Sequence, residues 1–241
     1  MTPRLRALAT ASAISAAATA GYLTARHSLR AELATVRHAA CHDPLTGIHN
    51  RAGLTAATDS FITTAHNSGR PVAVVLVDLV GFKKVNDTHG HDAGDHILTT
   101  VAQRLTGIAG PAGICARLGG DEFALITTGP ATRRDDADTW LADWLTHIHT
   151  RLTTPVTYDR RTLAVGATLG AVLAHPAHPA TVWLHHADLA MYTARANRRT
   201  TAVFTDTTDT TAADLRPTAR PRDLARPTSP LAAAPTTWRA A

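Results

Sequence analysis

Apolar residues run without a break from Val72 to Val77, as Val-Ala-Val-Val-Leu-Val. A short run of that kind, rich in β-branched residues, predicts a strand covered on both faces, here over 72–79. Elsewhere the apolar positions recur every three or four residues. Ile97, Leu98, Val101, Ala102, Leu105 and Ile108 predict a helix near 93–108. Trp140, Leu141, Trp144, Leu145 and Ile148 mark another amphipathic helix. Helices are also expected near 52–67 and 180–197, and strands at 113–118, 121–128 and 162–174, with a short strand at 201–204. Gly119-Gly120 between two β-prone runs is a hairpin signal, because both residues can take positive φ without steric cost. Mixed element order with an antiparallel hairpin argues for an α+β fold and against a doubly wound sheet.

The pattern changes at both ends. Ala7 to Ala25 carries no charge, with Arg4 and Arg6 before it and Arg26 and Arg30 after it. As a helix this stretch would rise about 28 Å, near the roughly 30 Å of a bilayer's hydrocarbon core. Ala, Ser and Thr dominate it, however, and three readings stay open: a weak membrane anchor, a secretory signal, and an Ala-rich soluble helix. Arg26, Arg30 and Arg37 favour a cytoplasmic location for the domain on their C-terminal side, and with an anchor that domain would sit at the inner face of the membrane. Residues 26–40 read as a helical connector, so 1–40 form one appendage. Residues 205–241 are rich in Thr, Ala, Pro and Arg, lack periodicity and read as a disordered tail.

Charge narrows the class of partner. Of 24 basic and 19 acidic side chains, residues 1–40 hold five Arg and one Glu, and residues 205–241 hold five Arg and four Asp, so residues 41–204 keep 14 of each. The basic isoelectric point therefore does not mark a nucleic-acid surface, and no nucleic acid is expected as a partner. Cys41 and Cys115 make no metal or disulfide framework, which suits a reducing compartment.

Candidate chemistry lies where the periodic segments end. Asp78 closes the buried strand, and a carboxylate there is costly unless a cation pairs with it: Lys83, Lys84 or a divalent metal. Asp121 and Glu122 come directly after the two glycines, whose missing Cβ atoms let an anionic ligand approach the backbone. Asn86 to Asp95 form a polar, Gly-containing loop entering a helix, with Asp92 as the expected N-cap and Asp95 three residues on. Asn and Asp side chains together could read a guanine edge. His89 and His91 lack the further ligands that zinc needs.

Taken in order, Asp43-Pro44-Leu45-Thr46-Gly47 through Arg51, Asp78 through Asp95, and Arg117-Leu118-Gly119-Gly120-Asp121-Glu122-Phe123 resemble the GGDEF family of diguanylate cyclases. Weaker matches lie at Val165 to Gly170 and at Ala187 to Arg195. The resemblance covers residues 41–204 and implies a palm-like, ferredoxin-type mixed sheet flanked by helices, with the hairpin carrying the motif. It implies condensation of two GTP into cyclic di-GMP with release of two pyrophosphates, between two subunits of a homodimer. By motif, Asp78, the Leu79 carbonyl and Asp121 would bind Mg2+, with Mn2+ as a substitute. Asn86, His91 and Asp95 would hold the nucleotide, Asn86 and Asp95 on guanine. Phe82 and Lys83 would lie along the phosphates, and Gly119 and Gly120 would border the ligand. Asp121 would deprotonate the attacking hydroxyl, with Glu122 beside it. Arg195 and Arg199 would meet the terminal phosphates, although cations also suit a helix C-terminus.

Several positions depart from the family pattern. Val80 stands where a second aspartate is usual, Arg195 where Lys is usual, and Arg198 where Gly is usual. Gly110-Pro111-Ala112-Gly113 replaces an Arg-x-x-Asp product-inhibition site. Two functions are therefore carried forward: an active diguanylate cyclase, and a catalytically inactive module that binds GTP or another protein.

Overall fold

The computed structural model describes residues 3–130 and 134–205, with residues 3–20, 134 and 135 described by their backbone alone. The elements run α1 (Pro3–Cys41), α2 (Arg51–Asn67), β1 (Val72–Val80), α3 (Phe82–His89), α4 (His91–Ala109), β2 (Ile114–Gly119) and β3 (Glu122–Thr128). They continue α5 (Arg134–Thr153), β4 (Val156–Tyr158), β5 (Arg161–Leu163), β6 (Gly166–Ala174), α6 (Ala180–Ala196) and β7 (Thr201–Val203). Five strands form one sheet in the order β2-β3-β1-β6-β7. β1 lies at its centre, antiparallel to β3 and β6, and β7 joins β6 in parallel. This is the α+β mixed sheet flanked by helices that the sequence leads one to expect.

The unbroken apolar run of β1 is explained by two cores. Ala73, Val75, Val77 and Leu79 pack with Ile97, Val101 and Leu105 of α4 and Leu141, Leu145 and Ile148 of α5. Val72, Val74 and Leu76 pack with Leu54 and Ile62 of α2 and Trp183, Ala187 and Met191 of α6. Period-two alternation then sends Asp78 to the α2/α6 face of the sheet. Gly170 sets how closely α6 can approach: a Cβ there would overlap the Met191 nitrogen and the Ala187 oxygen.

Three elements differ from expectation. Residues 86–89, expected as the start of a loop, are the second half of α3, because Gly81 (φ 84°) turns the chain out of β1 and Val85 can bury one face. The N-cap of α4 is Gly90, so Asp92 lies in the first turn instead of capping it. The strand expected over 162–174 is two strands, with β5 belonging to a separate β4–β5 hairpin. Asp159 (φ 45°) and Arg160 (φ 61°) make its turn in the left-handed region, without the glycine that would have signalled it.

Residues 7–25 lie inside α1, which continues unbroken through the expected connector. No helix among the described residues is long and apolar enough to cross a membrane. The anchor reading lacks support on composition: the stretch has the length but too few large apolar side chains. The disordered-tail expectation falls on residues 206–241, outside those described.

Candidate active site

The two acid-bearing segments meet at one end of the sheet. Asp78 is directly opposite Glu122 on β3 and Thr168 on β6. Directly opposed residues of an antiparallel pair share a face, so these side chains project to the same side. The Leu79 amide donates to the Asp121 carbonyl at 3.2 Å, which brings Asp121 beside the end of β1. The hairpin register shifts between Arg117 and Gly119, and Gly119 (φ 150°) and Gly120 (φ 53°) form the exposed tip. Asp78, Asp121 and Glu122 are all half-buried.

Arg117 fixes the tip from below. Its Nε donates to the Gly120 carbonyl at 2.9 Å, and its Nη1 reaches both Asp43 oxygens at 3.3 Å. Asp43 in turn accepts from the Thr46 amide and hydroxyl. Burial raises the Asp43 pKa, but the two Thr46 bonds and the Arg117 charge outweigh it and hold the carboxyl below its ordinary value. The turn over residues 43–47 is tied to the core by the His49 amide on the Cys115 carbonyl and the Arg117 amide on the His49 carbonyl. Asn50 caps α2 through Gly53 and donates to the Ala40 and His42 carbonyls, so the end of α1 joins the same assembly.

Helices α3 and α4 build the second part. Phe82 is half-buried in the first turn of α3, and Lys83 is exposed beside it. Asn86 lies one turn further on, and its Oδ1 is buried without a hydrogen-bond partner in the structure. Gly94 of α4 makes room for it: a Cβ there would overlap Asn86 Oδ1 and fall 3.2 Å from Phe82 Cζ. His91 and Asp95 are exposed in the first turns of α4. A buried acceptor with no donor costs free energy, and it marks where a ligand N–H would be welcome.

From α6, Arg195 reaches the first part. Its Nη2 lies 2.5 Å from Asp78 Oδ2, an ion pair that ties the end of α6 to the end of β1. Arg199 is exposed just beyond the helix, where its amide closes the turn on the Ala194 carbonyl. Val80 is 52% exposed and on the same side as Asp78.

The acids that meet here, Asp78, Asp121 and Glu122, offer hard oxygens of the kind that divalent cations take. Among the described residues no group of three or more His, Cys, Asp or Glu is arranged to hold a metal. Sequence reasoning named every acid here but passed over Gly94 and the Asp43–Arg117 brace. The spacing of Gly94, one residue before Asp95 and eight after Asn86, was the available signal.

The acids at the end of β1, the glycine hairpin and the open Asn86 acceptor all belong to one α+β domain. Residues 40–201 match the family model described as diguanylate cyclase, GGDEF domain, and the chain belongs to that family. It is 43% identical over 159 residues to an uncharacterized 19.3 kDa protein of Streptomyces ambofaciens, covering 65% of this chain and 79% of that one. It is 36% identical over 176 residues to the diguanylate cyclase TpbB of Pseudomonas aeruginosa, covering 71% of this chain and only 39% of TpbB. Among solved structures, the coiled coil and GGDEF domain of DgcB from Caulobacter crescentus, in complex with c-di-GMP, is 25% identical with a TM-score of 0.62, covering 78% of this chain and 97% of that one. The GGDEF domain of TpbB is 32% identical with a TM-score of 0.58, covering 68% and 94%.

Proposed function

We propose that the protein is a diguanylate cyclase, with residues 41–204 as its catalytic domain. Two subunits each present one GTP; the 3′-hydroxyl of each attacks the α-phosphate of the other, and two pyrophosphates leave. The observation that carries this reading is the placement of Asp78 opposite Glu122 with Asp121 bonded to the end of the same strand. Asp121 takes the proton from the attacking hydroxyl, with Glu122 beside it. Asp78, the Leu79 carbonyl and Asp121 hold Mg2+ or Mn2+. When bound, that ion offsets the charge that develops on the phosphate oxygens. Asn86 offers its buried acceptor to the guanine N–H groups, and Asp95 accepts from the same edge. His91 packs beside the base, Phe82 and Lys83 line the phosphates, Gly119 and Gly120 leave them room, and Arg199 meets the terminal ones.

Helix α1 supports the two-subunit arrangement. Tyr22, Arg26, Leu29, Leu33, Val36 and Ala40 alternate at spacings of four and three, the seam of a two-stranded coil. The apolar members are exposed, Leu29 by 58% and Val36 by 60%. A second copy of the helix would cover them.

Val80, in place of a second acid, favours the inactive GTP-binding module as the alternative. One assay decides. The protein is given GTP and Mg2+, and cyclic di-GMP and pyrophosphate are measured. The cyclase reading expects product from the parent and none from Asp121→Asn. GTP binding with no turnover at any protein concentration would establish the module instead.

A further inference from the structure

The ion pair between Arg195 and Asp78 has a consequence for the order of ligand entry. Arg195 lies in the last turn of α6, is partly exposed at 43%, and spans from the helix to the sheet edge. Asp78 is the more buried partner at 17%. A carboxylate in that position needs a cation, and Arg195 supplies one from within the chain. The family's usual Lys would bring a compact ammonium there; Arg brings a planar fork that bonds carboxylate and phosphate oxygens equally well.

We infer that Arg195 is an internal counter-ion that closes the metal position of Asp78 until a nucleoside triphosphate draws the guanidinium away. This rests on the reading of the edge as a metal–nucleotide site. Two features support it independently. The proposed protein donors, Asp78, Asp121 and the Leu79 carbonyl, are fewer than the roughly six oxygens that a divalent ion of this kind takes. A guanidinium within bonding distance of Asp78 adds repulsion toward any second cation. The triphosphate reverses both effects. It brings about four negative charges, which offer Arg195 a better partner than one carboxylate and offer the cation its missing oxygens. Asp78 is thereby released as the phosphates arrive, and nucleotide and metal bind cooperatively. Arg195 then acts first on Asp78 and afterwards on the phosphates, which makes it a positioning residue for the metal ligand. Its partial exposure leaves the side chain room for the exchange.

The test uses the full chain and Mn2+ as the probe. Free Mn2+ is followed by its electron spin resonance signal, with and without a GTP analogue whose α,β-bridge is methylene. The wild type is expected to bind Mn2+ weakly alone and much more tightly with the analogue. Arg195→Gln is expected to bind Mn2+ alone about tenfold more tightly than the wild type, by removal of one nearby charge, and to gain much less from the analogue. Asp78→Asn should bind Mn2+ weakly in either condition. An Arg195→Gln variant with a native circular dichroism spectrum and wild-type Mn2+ affinity, while the wild type still couples Mn2+ to the analogue, overturns the counter-ion role alone. A wild type that shows no such coupling overturns the reading of the site. A native circular dichroism spectrum is required of the tighter-binding variant as well, because an unfolded chain also exposes carboxylates and histidines to Mn2+.

Discussion

Arg198 occupies the left-handed region at φ 54°, immediately after the cap residue of α6. Its amide bonds to the Arg195 carbonyl and the next amide, Arg199, bonds to Ala194, which is a Schellman closure. That conformation suits glycine, the residue usual at this position in the family. Arg198→Gly should therefore stabilise the fold by about 1 kcal/mol, read as a higher denaturation midpoint. The turn from Asp43 to His49 links stability to pH. Burial lowers the His49 pKa, aided by the charges of His42 and His38 and opposed by a bond to the Cys41 backbone. Below the ordinary histidine value of 6.5 the unfolded chain therefore takes up the proton first, and stability falls as pH drops through that range. Asp43 is held below its ordinary 3.8, so its contribution is present above that value and is lost as pH falls further. Melting temperature against pH should show two descending steps. His49→Gln should remove the upper one and Asp43→Asn the lower. A curve unchanged by either variant would contradict the assignment. The positions of the single acids were legible, because Asp78 ends an apolar run and Asp121 follows a glycine turn; the Arg195 pairing was not, because it joins residues more than a hundred positions apart.

At the scale of elements, α3 and α4 work as one unit around Gly94. Gly94→Ala would push on Asn86 Oδ1, which a side-chain rotation can relieve. GTP affinity is expected to fall about tenfold with the loss of the Asn86 contact, while the circular dichroism spectrum stays unchanged. Wild-type affinity would show that Asn86 does not read the base. The helix α3 itself was missed because it is eight residues long with only two large apolar side chains, Phe82 and Val85, and is followed by a glycine, Gly90 at φ 86°, that reads as a loop signal. The long periodic helices and β1 were legible, since burial on one face or both leaves a pattern over many residues. The β4–β5 hairpin left none: each strand has three residues, and its turn is made by Asp159 and Arg160.

At the scale of the whole molecule, α1 narrows the three readings of the N-terminal segment. Its first half has the length of a bilayer's hydrocarbon core but not the apolarity, which leaves the anchor reading without support among the described residues. Its second half carries the exposed 3–4 stripe from Tyr22 to Ala40. If that stripe pairs two subunits, Leu29→Glu combined with Leu33→Glu should weaken dimerisation more than about tenfold, since each leucine loses its burial. GTP binding per subunit should survive, and turnover should fall. Sedimentation of the variant as a dimer of wild-type strength would contradict the pairing. The central claim, that Asp78 and Asp121 serve one reaction centre, is tested most directly by a double-mutant cycle on the rate of cyclic di-GMP formation. Asp78→Asn and Asp121→Asn should each abolish most of the rate, and the double variant should be no slower than the slower single one. Full activity in either single variant, or losses that multiply in the double, would contradict it.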